Sequence, residues 1–335
     1  MVDVTLIGTG ALQPLPERAL ASAAITCCGR VLLLDCGEGT QAAARRAGVS
    51  LAKIDAIALT HYHGDHTYGL PGLWQSMAMA ERTEPVFVFG PKGLEAAMKP
   101  FMMLCPKLPF ALRLMELPAE GAALGCLMEG WPEGAWLTPF AAHHRGPSQG
   151  YRFELKRSGC FLPEKAKALR VPVVQWKTLQ RGEPVRVGEM TVQPEQVMSA
   201  PRRGITVAYT GDTAWHNEMA EHLRDADLLI CEATYGEDDQ EALAGEHGHM
   251  TFAQAAQLAD CAKAHQLWLT HYSPMIADPQ AYILNASRHF AQTVCGLDGM
   301  AETLRFDKNP NIREKSAINI QFFSTRKPER DIIGR

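Results

Sequence analysis

An α/β layered fold is what this sequence predicts, on three observations. Short apolar runs of hairpin spacing come first. Further runs then alternate with helical patterns, and no internal repeat or low-complexity segment interrupts them. Of the 335 residues, 46 % are hydrophobic and 21 % charged, an ordinary globular balance that excludes disorder, collagen or coiled coil as whole-chain readings. The length allows one large domain or two small ones.

The elements follow in order. Residues 4–7, 23–26 and 31–34 are short and apolar, and Gly or Asp bounds them, as strands require. The runs 56–60, 86–89, 135–140, 151–155, 205–210, 228–231 and 267–270 read the same way. Helical spacing appears at 40–47, 70–80, 214–223, 252–265 and 279–290, with Thr251 placed to cap the fourth of these. From Asp307 the chain turns polar and mixed in charge, which reads as an extension, 307–335, outside the domain.

The net charge is −4. This excludes a uniformly basic coat for nucleic acid and leaves room for a local patch. Between Arg152 and Arg186, nine basic residues stand against three acidic ones, with Pro163, Pro172, Gly182 and Pro184 among them. That segment reads either as a solvated face or as an excursion that holds a polyanion by its phosphates. The N-terminus lacks the pattern of a secretory leader, and no apolar run approaches the length of a membrane span. Nine cysteines, an odd number without a C-x-x-C pair, predict reduced thiols and a cytoplasmic protein.

The densest chemistry lies in Thr60-His61-Tyr62-His63-Gly64-Asp65-His66, directly after an apolar strand. His61 and His63 alternate, so on extended chain they point the same way. Gly64 lets the chain turn, so Asp65 and His66 can serve a second point. Imidazole and carboxylate together suit zinc, manganese or iron. Four donors cannot complete two cation sites, and further candidates stand at strand ends: His143, His144, Asp212 and His271. Singly, each would read as an ordinary structural residue. Gly8-Thr9-Gly10 does not make a dinucleotide loop, because Gln13 takes the third glycine position and Pro14 and Pro16 oppose the helix. Trp131, Trp136, Trp176, Trp215 and Trp268 read as packing residues.

The H-x-H-x-D-H run resembles the signature of the metallo-β-lactamase superfamily. Other segments resemble the ribonuclease Z family of tRNA 3′-processing endonucleases: Leu34-Asp35-Cys36-Gly37-Glu38-Gly39, Gly69-Leu70-Pro71-Gly72-Leu73, Gly90-Pro91-Lys92-Gly93, His144 ahead of Gly150-Tyr151-Arg152, Cys231-Glu232-Ala233-Thr234, and His249-Met250-Thr251. The resemblance implies an αβ/βα sandwich of two mixed sheets with helices on the outer faces. It implies a single domain, 1–306, with an inserted basic arm at about 152–186.

It further implies two divalent cations, zinc foremost, with manganese or iron as alternatives. His61, His63 and His144 would hold one; Asp65, His66 and His271 the other; Asp212 would bridge them. A shared water, ionised near neutral pH, would attack phosphorus in line, with Asp65 able to take a proton. His249, oriented by Glu232, would protonate the leaving ribose oxygen. Read from the residues alone, His249 beside Glu246 and His247 is equally a structural group at a helix start.

The implied partners are precursor tRNA and a second copy of the chain. Arg18, in Pro14-Leu15-Pro16-Glu17-Arg18-Ala19, and Lys165, Lys167, Arg170, Lys177 and Arg181 of the arm are the substrate-binding candidates. The family's P-x-K-x-R-N loop keeps Pro and Arg here but not Lys and Asn. Two other functions remain open on the sequence: a hydrolase of small phosphodiesters or esters, and a non-catalytic metal- or RNA-binding protein.

Overall fold

A computed structural model describes residues 1–306, so the extension expected at 307–335 lies outside the described residues. The strands are β1 (Val2–Gly8), β2 (Ser22–Cys27), β3 (Arg30–Leu34), β4 (Ile54–Ala58), β5 (Val86–Phe89), β6 (Leu112–Met115), β7 (Ala122–Ala123), β8 (Ala135–Ala141), β9 (Gln149–Arg157), β10 (Val185–Val187), β11 (Met190–Val192), β12 (Arg202–Tyr209), β13 (Leu228–Glu232), β14 (Leu267–Thr270), β15 (Thr293–Cys295) and β16 (Ala301–Leu304). They form two seven-stranded sheets, ordered β16-β1-β2-β3-β4-β5-β6 and β15-β14-β13-β12-β9-β8-β7, and a separate β10-β11 hairpin.

In each sheet an antiparallel half continues into a parallel half. The β2–β3 hairpin closes through Cys28 and Gly29, both at positive φ (52° and 76°), the conformation a two-residue turn requires. Parallel neighbours need crossovers. Helices Thr40–Arg46, Leu70–Met79 and Leu94–Leu104 supply them on one outer face, and Met219–Leu223, Phe252–Cys261 and Ile283–Ser287 on the other.

Strand alternation divides the apolar side chains between layers. Val4, Leu6, Ile25, Leu32 and Leu34 meet Tyr151, Phe153, Val207, Ile230 and Trp268 between the sheets. Ile7, Val31, Leu33, Ile57 and Val88 pack outward under the first helices, and Leu229, Cys231 and Leu269 under the second. Burial on both faces explains why the parallel strands read as continuous apolar runs. The result is the four-layer αβ/βα sandwich.

Several elements differ from expectation. The helix expected at 252–265 ends at Cys261, and Lys263 turns left-handed just beyond it (φ 54°). Its start matches: the Thr251 side chain accepts the Gln254 amide N–H at 3.2 Å, and Gln254 Oε1 accepts the Thr251 N–H at 2.9 Å. The helix expected at 214–223 shrinks to Met219–Leu223, because Thr213 and Ala214 bond to the backbone of His143 instead. The segment 279–290 splits into a 3-10 turn, Pro279–Tyr282, and helix Ile283–Ser287. Helix Leu94–Leu104 was not expected. Its periodicity is broken by Pro100, and its start is capped from a distance, where Glu116 Oε1 accepts the Gly93 and Leu94 N–H groups at 2.8 and 3.2 Å.

The excursion between β9 and β12 spans 158–201, later than the 152–186 suggested by charge. Arg152, Lys156 and Arg157 lie on β9 inside the sheet, where Arg152 donates to the carbonyls of His222 and Arg224. The arm continues past 186 because its own small core needs Val192 and Val197 beside Ala166, Val171, Leu179 and Val185. Arg157 pairs with Arg202 and Tyr151 with Tyr209, so the arm leaves this strand pair at the end opposite Asp212. Among the described residues, no helix is long and apolar enough to cross a membrane.

Candidate metal centre

One edge of the sandwich gathers the strand ends that carry chemistry. Asp35 follows β3, the His61–His66 run follows β4, His144 follows β8, Asp212 follows β12, and His271 follows β14. The structure brings His61, His63 and His144 into one group and Asp65, His66, Asp212 and His271 into a second, with donor atoms within 4.8 Å of one another in each. His61 Nε2 and His144 Nε2 stand 3.0 and 3.2 Å from His63 Nδ1. His66 Nε2 and His271 Nε2 are 3.3 Å apart. Asp212 Oδ2 lies between the groups, 3.3 Å from His66, 3.2 Å from His271, 3.7 Å from His61 and 4.0 Å from His144. Asp65 Oδ2 is 3.7 Å from His66 and 3.6 Å from His271, and it also accepts the Leu12 N–H at 2.8 Å.

Two features show that these donors fit divalent cations. Imidazole nitrogens that face each other this closely cannot all carry protons, and their lone pairs repel unless positive charge lies among them. The second oxygen of Asp212, Oδ1, is buried without a hydrogen-bond partner, an uncompensated carboxylate edge that a cation satisfies. Protonation agrees. Burial, with His66 nearby, brings His61 down to about 2, and burial lowers His144 as well. A neutral imidazole is the form that binds metal. At His66, burial opposes a proton, but the Asp212 and Asp35 carboxylates outweigh it and raise the pKa; a cation supplies the same positive charge.

The ring nitrogens facing away from the centre are held by matched relays. His66 Nδ1 meets Asp35 Oδ2 at 2.8 Å. The Thr60 hydroxyl, 2.9 Å from the same oxygen, stands 3.0 Å from His61 Nδ1, so Asp35 orients two imidazoles, one directly and one through Thr60. Tyr209 donates to Asp35 as well. On the other side, Glu232 Oε1 meets His249 Nδ1 at 2.9 Å. Glu232 Oε2 accepts the Thr234 hydroxyl at 2.9 Å, and that hydroxyl is 3.0 Å from His271 Nδ1. His144 Nδ1 meets the Gly248 carbonyl at 2.9 Å. Gly248 sits at φ 78°, and a Cβ there would meet His144 Nδ1 at 2.7 Å. Such outer partners set the tautomer and aim of metal ligands.

Asp35 is the residue that motif reading quoted without a role. Its signal was positional: a carboxylate directly after an apolar strand, as Asp212 stands three residues past β12. Asp35→Asn is expected to weaken metal retention about 10- to 100-fold, measured by chelator competition on folded protein. Wild-type retention would remove Asp35 from the support of the centre.

His249 lies against His144 and His271, with ring centroids 4.9 and 5.4 Å away. Burial opposes its protonation, yet the Glu232 carboxylate overrides this and pushes it up to about 9. The arrangement offers a protonated imidazole beside a cation site. His143, the neighbour of His144, stays outside the cluster.

The substrate-binding candidates are placed differently. Arg18 donates to the carbonyls of Ile276 and Ala277 at 3.0 and 3.1 Å and lies 5.4 Å over the Tyr272 ring, so its guanidinium ties the N-terminal loop to the loop after His271. Lys165, Lys167, Arg170, Lys177 and Arg181 are exposed on the arm, where Lys167 pairs with Glu164 and Arg181 with Glu183.

Comparison with known proteins agrees with this geometry. A family profile described as "Beta-lactamase superfamily domain" matches residues 148–272, and one described as "Anti-Pycsar protein Apyc1" matches residues 2–98. The chain is 40 % identical over 311 residues to a ribonuclease Z of Lachnoclostridium phytofermentans, covering 92 % of this chain and 100 % of that one. It is 40 % identical over 307 residues to a ribonuclease Z of Lachnospira eligens, covering 92 % and 99 %. Among solved structures, human tRNase Z, short form, is similar with a TM-score of 0.63 at 26 % identity, covering 91 % and 100 %. On the strength of relatives that match 92 % of its length, this chain belongs to the ribonuclease Z family of the metallo-β-lactamase fold.

Proposed function

We propose that this protein is a metal-dependent endoribonuclease that removes 3′ trailers from precursor tRNA. The observation that carries the reading is the 40 % identity to ribonuclease Z over 92 % of the chain, met here by convergent His and Asp donors with the His249–Glu232 pair beside them. His61, His63, His144, Asp65, His66, His271 and Asp212 would hold two divalent cations, zinc foremost, with manganese or iron as alternatives. Cations held there would acidify a water and neutralise charge on the phosphoryl oxygens.

The chain's own residues do the rest. Asp65, held low by His271 and His66 against the opposing effect of burial, stays ionised to accept a proton from the attacking water. His249 donates a proton to the departing ribose oxygen from its far nitrogen, Nε2, while Glu232 keeps Nδ1 occupied. The nine unpaired cysteines support a reducing, cytoplasmic setting. The homodimer is the assembly that the family resemblance implies. The domain is read as 1–306 with the arm as an RNA-docking insert.

The deciding experiment is cleavage of a transcript with a defined 3′ trailer, with the cut mapped to the nucleotide. A single cut at the trailer junction is expected. Hydrolysis confined to a small chromogenic diester would replace this reading with a small-molecule phosphodiesterase. Replacing arm residues 163–197 by a short linker is expected to cut precursor-tRNA turnover at least about tenfold more than small-diester turnover, with a flatter salt dependence. Equal loss on both would show that the arm does not dock RNA.

A further inference from the structure

We propose that the His143–His216 pair is a stacking platform for a nucleobase of the RNA strand that flanks the scissile phosphodiester. This rests on the endonuclease reading above and adds a base-binding subsite to it. The two imidazoles lie face to face, with centroids 3.9 Å apart and planes 16° from parallel. His143 is exposed and His216 is half-buried, with both His216 ring nitrogens shielded from solvent. His216 therefore offers its neighbour a flat face, and His143 is a ring backed on one side and open to solvent.

The platform is built into the metal-bearing loops. The His143 N–H donates to Thr213 Oγ1 at 2.9 Å, and the Ala214 N–H donates to the His143 carbonyl at 2.8 Å. These bonds stitch the loop that ends in His144 to the loop that begins with Asp212. The rings thus stand in fixed register with a terminal donor and with the bridging carboxylate. A phosphodiester placed at those donors brings its adjoining bases to this rim. Arg145, exposed two positions after His143, adds charge for the backbone. Base stacking on an aromatic ring is tolerant of sequence, because every base has a π face, and that suits trailers of varied sequence. The other His143 neighbour on the chain, Ala142, offers no comparable surface.

The test is binding of a short RNA that spans an acceptor 3′ end and trailer, carrying 2-aminopurine on either side of the cut. Stopped-flow mixing reads fluorescence quenching ahead of cleavage. Wild type is expected to quench the probe at one of the two positions. His143→Ala is expected to lose the quench and to bind roughly 5- to 100-fold more weakly, and His143→Phe to restore both. His143→Leu, which keeps apolar bulk without a π face, is expected to behave like alanine.

Absence of quenching at both positions would overturn the proposal. So would equal behaviour of the phenylalanine and leucine variants. The readout does not need cleavage. Failure of the endonuclease reading alone shows as no product from the full precursor with quenching intact, and failure of the platform alone shows as product without quenching.

Discussion

Asp212→Ala is expected to lower phosphodiester hydrolysis by about 10⁴-fold or more and to reduce the metal held per chain. The expectation follows from position. The Oδ2 atom is within 4.0 Å of nitrogens from four histidines, two from each donor group. Burial disfavours the Asp212 anion, but the His271 and His66 charges outweigh it and hold the carboxyl well below its ordinary range. The carboxylate is therefore ionised at neutral pH. Alanine removes both oxygens, the one between the groups and Oδ1, and leaves five imidazoles with no shared anion. Elemental analysis after gentle purification, with circular dichroism to show that the fold persists, checks this. About two ions per wild-type chain are expected, and fewer in the variant. Unchanged metal content together with near-wild-type hydrolysis would sink the two-cation centre. Asp65→Ala is expected to abolish hydrolysis too, while leaving the group around His61 intact.

His249→Ala is expected to reduce kcat on precursor tRNA about 10²- to 10⁴-fold with little change in KM, the usual worth of a positioned acid. The loss should be smaller for a chromogenic diester, whose phenolate leaves without help. The pH profile carries the sign. His249 is raised to about 9, so the acid is present at neutral pH and is lost as pH climbs through that value. Glu232→Gln keeps the shape but removes the charge that raises His249. Its pKa then falls toward the ordinary imidazole value, and the alkaline limb of the kcat profile moves to lower pH. Glu232 also reaches His271 through Thr234, so metal content must be measured alongside. An alkaline limb that does not move in a fully metal-loaded Glu232→Gln enzyme would show that His249 is not the acid.

Much of the centre was legible because its donors cluster locally. His61, His63, Asp65 and His66 sit within one run of six residues after β4, although Asp35 and Thr60 complete the aim of two of them. The Thr251 cap was legible for the same reason, since a capping box spans only a few residues. Helix Leu94–Leu104 was not, because its cap comes from Glu116, just past β6, and its periodicity passes through Pro100. The arm's limits were misplaced because charge marks a surface, whereas its end is decided by which valines close its core.

What the sequence by itself determined is the chemistry available: imidazoles and carboxylates at strand ends of an α/β chain, with a basic insert. What only the tertiary structure decided is which of them meet. His143 and His144 are indistinguishable as neighbours in the chain. The bonds to Thr213 and Ala214 pin His143 on the rim, and the bend that follows carries His144 to the centre. Asp35 gains its role only because β3 lies beside β4 in the sheet, and Glu232 only because β13 carries it beneath His249 and, through Thr234, His271. Donor type is a property of single residues, but coordination is a property of distances between strand ends far apart along the chain, and these arise only when the two sheets pack.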